Sequence, residues 1–154
     1  MTDWNLPWEG GCRCGQVRLK VTAPPIITLA CHCTGCQKMS ASAFSLTVII
    51  PAEGFTVING EPVIGGLHGV HKQLFCPHCM SWLYTKIEGA SVVGLRATML
   101  DDSRWFSPFI EIMTSEKFPW VTTSASHHFD KFPTADEFTH VAKLFGEDRR
   151  QIAN

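Results

Sequence analysis

The spacing of the cysteines constrains this chain more than any other feature of its sequence. The seven cysteines fall into three clusters: an upstream pair (Cys12 and Cys14), a triple (Cys31, Cys33 and Cys36) and a downstream pair (Cys76 and Cys79). Cysteines used as small buried hydrophobic residues would not group in this way. Four thiolates close a tetrahedral zinc site, whereas three leave one position open. The sequence therefore predicts one closed and one open zinc site, which is two zinc ions per chain.

Local geometry supports metal binding within each cluster. Side chains at positions i and i+2 of a strand share one face, so the upstream thiols point the same way. Pro77 pre-sets the backbone of a turn between Cys76 and Cys79. A redox dithiol at the downstream pair is the alternative, but no helix start follows it in a βαβ setting. We therefore interpret all three clusters as zinc knuckles.

Spacing alone leaves the grouping of the thiols open. The upstream pair could close one site with Cys31 and Cys33, which would leave Cys36 to the downstream pair. We favour the triple as a site of its own, because six residues can wrap one ion without closing a long loop. The two outer pairs would then form a structural clamp between the start and the middle of the chain, and zinc bound there would contribute to the free energy of folding.

Histidines inside the clusters are less promising as ligands. Residues within a knuckle usually point away from the metal, so we interpret His32 and His78 as surface residues or as neighbours of the ligands. His127 and His128 precede an apolar Phe129, and we expect them in a loop.

Composition and charge narrow the class of protein. The 154 residues include 13 basic and 14 acidic side chains, and no basic block is present, so we do not expect a nucleic-acid partner. The longest apolar run, around Phe44 to Ile50, is too short to span a membrane. The first residues have no signal-peptide pattern, and the odd cysteine count argues against disulfides. We expect one cytoplasmic domain over residues 1–154, with an oligomeric state that the sequence does not predict.

The pattern of apolar residues predicts a mainly β chain with one C-terminal helix. Residues 16–22 alternate apolar and polar side chains, as a half-buried strand does. Asn59-Gly60 favours a hairpin turn. Thr134 and Glu137 fit a capping box, and apolar residues follow with helical spacing up to Gly146, where we expect the helix to end.

Several stretches of the chain together resemble one known family. They are Gly11-Cys12-Arg13-Cys14-Gly15, Cys31-His32-Cys33-Thr34-Gly35-Cys36-Gln37-Lys38, Ala43-Phe44 and Phe75-Cys76-Pro77-His78-Cys79, followed more loosely by residues 97–102 and Glu116-Lys117-Phe118-Pro119-Trp120. In these residues the chain resembles the glutathione-dependent formaldehyde-activating (GFA) family, whose domain also occurs in centromere protein V. The resemblance extends from about residue 8 to residue 133.

The resemblance implies a fold and a set of ligands. The fold is of β-tent type, with coiled antiparallel sheets around zinc knuckles. A structural zinc would be held by Cys12, Cys14, Cys76 and Cys79, and a second, reactive zinc by Cys31, Cys33 and Cys36. One position departs from the family. Met80 follows the last cysteine, where the family usually has glycine, so we expect a differently shaped or strained turn there.

The resemblance also implies an activity. Glutathione and formaldehyde would join to give S-hydroxymethylglutathione, which makes the protein a carbon–sulfur lyase that uses a small-molecule thiol. The open position of the second zinc suits a substrate thiolate. Four histidines are candidates for moving the proton: His32, His71, His127 and His128. Three cations are candidates for the carboxylates of glutathione, although each is also an ordinary surface charge: Arg13, Lys38 and Arg96.

A non-catalytic zinc module that docks a protein partner is the alternative function. An unrecognised side chain such as a histidine would then close the second site. Four tryptophans would supply an interface, unless they belong to the core: Trp4, Trp8, Trp105 and Trp120. An exchangeable ligand on the second zinc separates the two functions, because only the lyase needs one.

Overall fold

The computed structural model describes residues 4–67 and 69–148. Within them the strands are β1 (Trp8–Gly11), β2 (Arg18–Val21), β3 (Ile27–Cys31), β4 (Ser45–Pro51), β5 (Phe55–Asn59), β6 (Val63–Gly65), β7 (His71–Phe75), β8 (Trp82–Ile87), β9 (Val92–Arg96), β10 (Ile110–Ile112) and β11 (His127–His128). The helices are α1 (Thr34–Ser40) and α2 (Ala135–Glu147), with short 3₁₀ turns at Ala52–Gly54, Ala97–Met99 and Thr114–Glu116. The chain is therefore mainly β with a C-terminal helix, as the apolar pattern predicts. None of the helices in the described part of the chain is long and apolar enough to cross a membrane.

The chain divides into two compact units, and each combines two separate stretches of sequence. Within the described residues, unit 1 contains Ile26–Val48 and residues 104–148, and unit 2 contains Trp4–Pro25 and Ile49–Ser103. Strand β4 begins in unit 1 and ends in unit 2. The cysteine triple thus belongs to unit 1, and both cysteine pairs belong to unit 2.

Unit 1 is built around strand β3, whose five residues are all buried. Strand β10 pairs with β3 in parallel, and β11 pairs with β10 in parallel. Helix α2 buries Val141 and Phe145, and the ring of Phe145 lies 5.4 Å from that of Phe109. These pairings place the end of β3, where the cysteine triple begins, next to the end of β10, because Cys31 pairs with Ile112.

Unit 2 contains two sets of antiparallel strands. Strand β2 lies between β1 and β5 and buries Leu19 and Val21, as its alternating pattern predicts. Strands β6 to β9 form a meander in chain order. Gly10 of β1 needs to be glycine, because a Cβ there would lie 2.1 Å from the carbonyl oxygen of Met99.

Three local predictions need correction. Asn59-Gly60 forms a turn with φ +77° at Gly60, but it makes no hairpin, because β5 pairs with β2 and β6 pairs with β7. Helix α2 has the predicted capping box at Thr134, yet it runs past Gly146 to Glu147. His127 and His128 form a short strand instead of a loop. The parallel pairings of unit 1 also add to the antiparallel sheets that the family resemblance implies.

Candidate metal centres

The two outer cysteine pairs meet in unit 2. We call Cys12, Cys14, Cys76 and Cys79 the four-cysteine cluster, since their sulfur atoms all lie within 4.8 Å of one another. The sulfur of Cys14 lies 3.5 Å from that of Cys12 and 3.8 Å from that of Cys76. Tetrahedral zinc with Zn–S bonds of about 2.3 Å separates its sulfur ligands by about 3.8 Å. The spacing and the donor atoms therefore fit a closed zinc site.

Backbone N–H groups and one serine prepare this cluster for thiolates. The N–H of Val17 donates to the sulfur of Cys12 at 3.2 Å, and the N–H of Cys79 to that of Cys76 at 3.5 Å. The hydroxyl of Ser81 lies 3.2 Å from the sulfur of Cys79 and lowers the pKa of that thiol to about 5. Ser81 also accepts a hydrogen bond from the N–H of Arg13, so it links the upstream and downstream pairs. No sequence pattern indicates this role of Ser81, because its proximity to Arg13 depends on the fold.

The turn after the downstream pair is strained, as the family resemblance implies. Met80 has φ +58° in the left-handed region, and its N–H donates to the carbonyl oxygen of Cys76 at 3.0 Å. A side chain in this conformation is unfavourable, which is the physical reason for a glycine here. His78 is exposed, so it agrees with the interpretation that it is not a ligand.

The cysteine triple forms the second candidate centre, at the junction of β3 and α1 in unit 1. We call Cys31, Cys33 and Cys36 the three-cysteine cluster; their sulfur atoms also lie within 4.8 Å of one another. Cys31 ends β3, and Cys33 is the N-cap of α1, where its sulfur accepts a hydrogen bond from the N–H of Cys36 at 3.3 Å. No histidine or carboxylate of the described residues joins this group. The cluster therefore offers a metal ion three sulfur donors.

The thiols of this cluster differ in pKa. Hydrogen bonds from Cys31 and Cys36 lower the pKa of Cys33 to about 2. The hydrogen bond to Cys33 in turn raises the pKa of Cys31. The arrangement thus favours a thiolate at Cys33, which is the form that binds metal ions.

A segment that follows β10 holds the loop of the three-cysteine cluster. One carboxylate oxygen of Glu116 accepts hydrogen bonds from the backbone N–H of Thr34 at 3.2 Å and from its hydroxyl at 3.1 Å. The side-chain amide of Gln37 donates to the carbonyl oxygens of His32, at 2.7 Å, and of Glu116, at 3.1 Å. Thr34, Gln37 and Glu116 therefore fix the loop that carries the sulfur donors. No pattern in the sequence indicates that Glu116 contacts Thr34 and Gln37.

His32 belongs to a buried polar network and is not part of the group of sulfur donors, so of its two predicted positions, surface residue or neighbour of the ligands, the surface position is wrong. The carboxylate of Glu111 in β10 is only 2% exposed and takes four hydrogen bonds. The donors are Lys117 at 2.8 Å, Thr123 at 2.7 Å, His128 at 2.8 Å and the Nε2 of His32 at 3.0 Å. Glu111 pairs with Ala30 and Ile112 pairs with Cys31, and side chains alternate along strands. The network therefore lies on the face of β3 opposite to the Cys31 side chain.

The remaining candidates of the sequence analysis have different environments. Arg96 is buried, and its guanidinium lies 4.1 Å from the centre of the Trp82 ring, so it is not a surface charge. Lys38 and Arg13 are exposed. His71 is exposed on β7 of unit 2. Of the four tryptophans considered for an interface, Trp120 is exposed, whereas Trp4, Trp8 and Trp105 are partly buried.

Comparison with known proteins agrees with this geometry. The model of the family described as glutathione-dependent formaldehyde-activating enzyme matches residues 7–116, more than half of the chain. A solved structure of a protein from Rhodobacter sphaeroides is similar, with a TM-score of 0.51 and 17% identity over 60% of this chain and 87% of that chain. At this identity the likeness shows the fold alone. The family match and the two cysteine clusters establish that the chain belongs to the GFA family.

Proposed function

We propose that this protein is a zinc-dependent carbon–sulfur lyase that acts on a thiol adduct. The observation that carries the proposal is the three-cysteine cluster, which has three sulfur donors and no further histidine or carboxylate donor among the described residues. Three thiolates around a zinc ion leave one coordination position for a substrate. The four cysteines of the four-cysteine cluster, by contrast, would complete a closed site and hold a structural zinc.

The family description suggests glutathione as the thiol and formaldehyde as its partner. Their reaction forms one carbon–sulfur bond, and the thiol proton ends on the oxygen of formaldehyde to give S-hydroxymethylglutathione. The reverse reaction breaks that bond and returns the proton to sulfur. Atoms and electrons balance without an oxidant or reductant. We also propose a reducing compartment such as the cytoplasm, where clustered cysteines remain available as metal ligands.

The roles of the residues follow from the geometry of unit 1. Cys31, Cys33 and Cys36 would hold the ion, which when bound supplies a soft Lewis acid that favours the thiolate form of a sulfur ligand. The N–H of Cys36 stabilises negative charge on Cys33. Glu116 and Gln37 keep the loop in place while a substrate binds.

Cobalt substitution tests the proposal directly. Glutathione added to the cobalt-loaded protein should change the sulfur-to-cobalt charge-transfer bands, and S-methylglutathione, which lacks a free thiol, should not. The zinc-loaded protein should speed the exchange between formaldehyde, glutathione and their adduct, as measured by NMR. A Cys31→Ser, Cys33→Ser, Cys36→Ser variant is the matched control and should lose both effects. A wild-type protein with neither effect would disprove the lyase.

A protein-docking module remains the second candidate, and one observation favours it. The rings of Phe118 and Trp120 stack with centres 6.0 Å apart, and these side chains are 42% and 75% exposed. Such a pair on the segment that Glu116 anchors suits a protein partner. Absence of any thiol response in the cobalt experiment would favour this candidate over the lyase.

A further inference from the structure

Gly35 occupies a position in α1 where neither backbone nor packing requires glycine. Gly35 is not one of the described residues with positive φ, so its backbone conformation does not require glycine. A Cβ at this position would meet one atom within 4 Å, the sulfur of Cys33, at an ordinary contact distance of 3.8 Å. Glycine in a helix is less stable than alanine by about 0.5–1 kcal/mol. The feature that distinguishes this position is therefore the space beside Cys33.

The exposure of the cluster shows from which side a ligand can approach. Cys31 and Cys36 are largely buried, whereas Cys33 is partly exposed. Thr34 and Gly35, which follow Cys33, are both exposed. Solvent thus reaches the three-cysteine cluster past Cys33 and these two residues.

Thr34 does not compete for this space. Its hydroxyl and its backbone N–H both bind the carboxylate of Glu116, which fixes the direction of its side chain. A side chain at position 35 would start from a Cβ that lies 3.8 Å from the Cys33 sulfur, so a longer side chain would take up room beside that sulfur. Overlap between such a side chain and a bound ligand is costly in a closely packed site.

We propose that Gly35 is a specificity-determining residue, which keeps the approach to the three-cysteine cluster open to bulky thiols. This inference rests on the proposed function, because it concerns how the same site admits a thiol as large as glutathione, in which the cysteinyl residue carries amide groups on both sides. A smaller thiol needs less room and tolerates a side chain at position 35.

Size-graded substitutions test the proposal. The cobalt-loaded wild type, Gly35→Ala and Gly35→Leu would be titrated with 2-mercaptoethanol and with glutathione, and the charge-transfer bands give each affinity. We expect Gly35→Leu to weaken glutathione binding about tenfold or more, and 2-mercaptoethanol binding by less than about twofold. Gly35→Ala should lie between wild type and Gly35→Leu. Cobalt content should stay at the wild-type value throughout.

Gly146→Leu supplies the matched control, because Gly146 also lies in a helix and a Cβ there would meet nothing within 4 Å. It should leave both thiol affinities unchanged. Both helical substitutions should keep or raise the melting temperature, since each replaces a glycine in a helix.

A second readout does not depend on metal bound at the three-cysteine cluster. In protein that keeps zinc at the four-cysteine cluster but has none at the three-cysteine cluster, Gly35→Leu should slow the alkylation of Cys33 by a bulky maleimide more than its alkylation by iodoacetamide, as followed by peptide mass spectrometry. Equal glutathione affinity in wild type and Gly35→Leu, or equal alkylation selectivity, would overturn the role of Gly35 and leave the lyase intact. A wild type that binds neither thiol would instead overturn the proposed function. Should Gly35→Leu fail to fold, Gly35→Ala decides by the same two criteria.

Discussion

At the residue scale, Met80 is one of three described non-glycine residues with positive φ. Its φ of +58° costs an L-amino acid about 1–2 kcal/mol, and its side chain is exposed, so little packing compensates. Glycine would remove this strain but would lose about 0.5–1 kcal/mol of chain entropy on folding. We expect Met80→Gly to raise the free energy of unfolding of the zinc-loaded protein by about 0.5–1 kcal/mol in urea titrations.

Leu67→Gly is the control for Met80→Gly. The side chain of Leu67 is fully exposed, as that of Met80 largely is, but Leu67 is not among the described residues with positive φ. The substitution should therefore be neutral or slightly destabilising, because only the entropy of the unfolded chain changes. Equal loss of stability in both variants would show that the turn at Met80 stores no strain.

At the element scale, Glu111 joins β10 to the segments on either side of it. Burial alone would raise the pKa of this carboxyl, but hydrogen bonds from Lys117, Thr123, His32 and His128 outweigh burial and lower the pKa from 4.5 to about 2. Because the folded pKa is below the unfolded one, the unfolded chain takes up the proton first as the pH falls. The network thus stabilises the fold above about pH 5, and this contribution is lost between about pH 5 and pH 2.

Glu111→Gln should therefore lower the free energy of unfolding by about 3 kcal/mol at neutral pH. The difference from wild type should shrink as the pH falls from 5 towards 2. Urea unfolding across this range measures the difference, and the contributions of the cysteines cancel because both proteins keep all seven. Glu53→Gln, at an exposed carboxylate of unit 2, should change the stability little. A constant difference down to pH 2 would contradict the assigned role of the Glu111 charge.

At the scale of the whole molecule, the two cysteine clusters should respond differently to loss of their ligands. The four-cysteine cluster brings together sulfur atoms of Cys14 and Cys76, which are 62 residues apart in the chain. Zinc held between such distant segments contributes to the free energy of folding. The three-cysteine cluster spans six residues and closes no long loop, so its loss should leave the fold in place.

Elemental analysis and thermal unfolding check this difference. We expect two zinc ions per wild-type chain and one in the Cys31→Ser, Cys33→Ser, Cys36→Ser variant, which should keep its fold. Cys76→Ser with Cys79→Ser should instead unfold or show a large drop in melting temperature. One zinc in the wild type, or a triple variant that unfolds, would make the three-cysteine cluster structural and remove the main support for the lyase.

Short-range patterns in the chain predicted much of its local structure. The alternating stretch of residues 16–22 contains strand β2 (Arg18–Val21), which buries Leu19 and Val21 as the alternation predicts. The capping box at Thr134 forms as predicted. These features depend on residues that are only a few positions apart, so short sequence patterns are enough to predict them. Gly146 shows the limit, because the packing of α2 carries the helix beyond a residue that usually ends one.

Contacts between distant segments could not be predicted in the same way. Nothing in the local pattern indicated that β3 and β10 pair in parallel, and this pairing is what brings Glu111 to His32. Likewise, Glu116 meets Thr34 only because the chain after β10 returns to the loop of the three-cysteine cluster. Each of these polar groups looks like an ordinary surface residue until its partner is known.

The sequence by itself determined that the seven cysteines form clusters that could bind metal, and that the chain would be mainly β. Cysteine spacing and apolar alternation are local, and local geometry allows few other arrangements. Only the tertiary structure decided which thiols meet, since spacing alone also allowed Cys36 to join the downstream pair. It also decided that His32 is buried against Glu111 and that Gly35 faces the sulfur of Cys33. These outcomes depend on which strands pair, and strand pairing joins residues about 80 positions apart, such as His32 and Glu111.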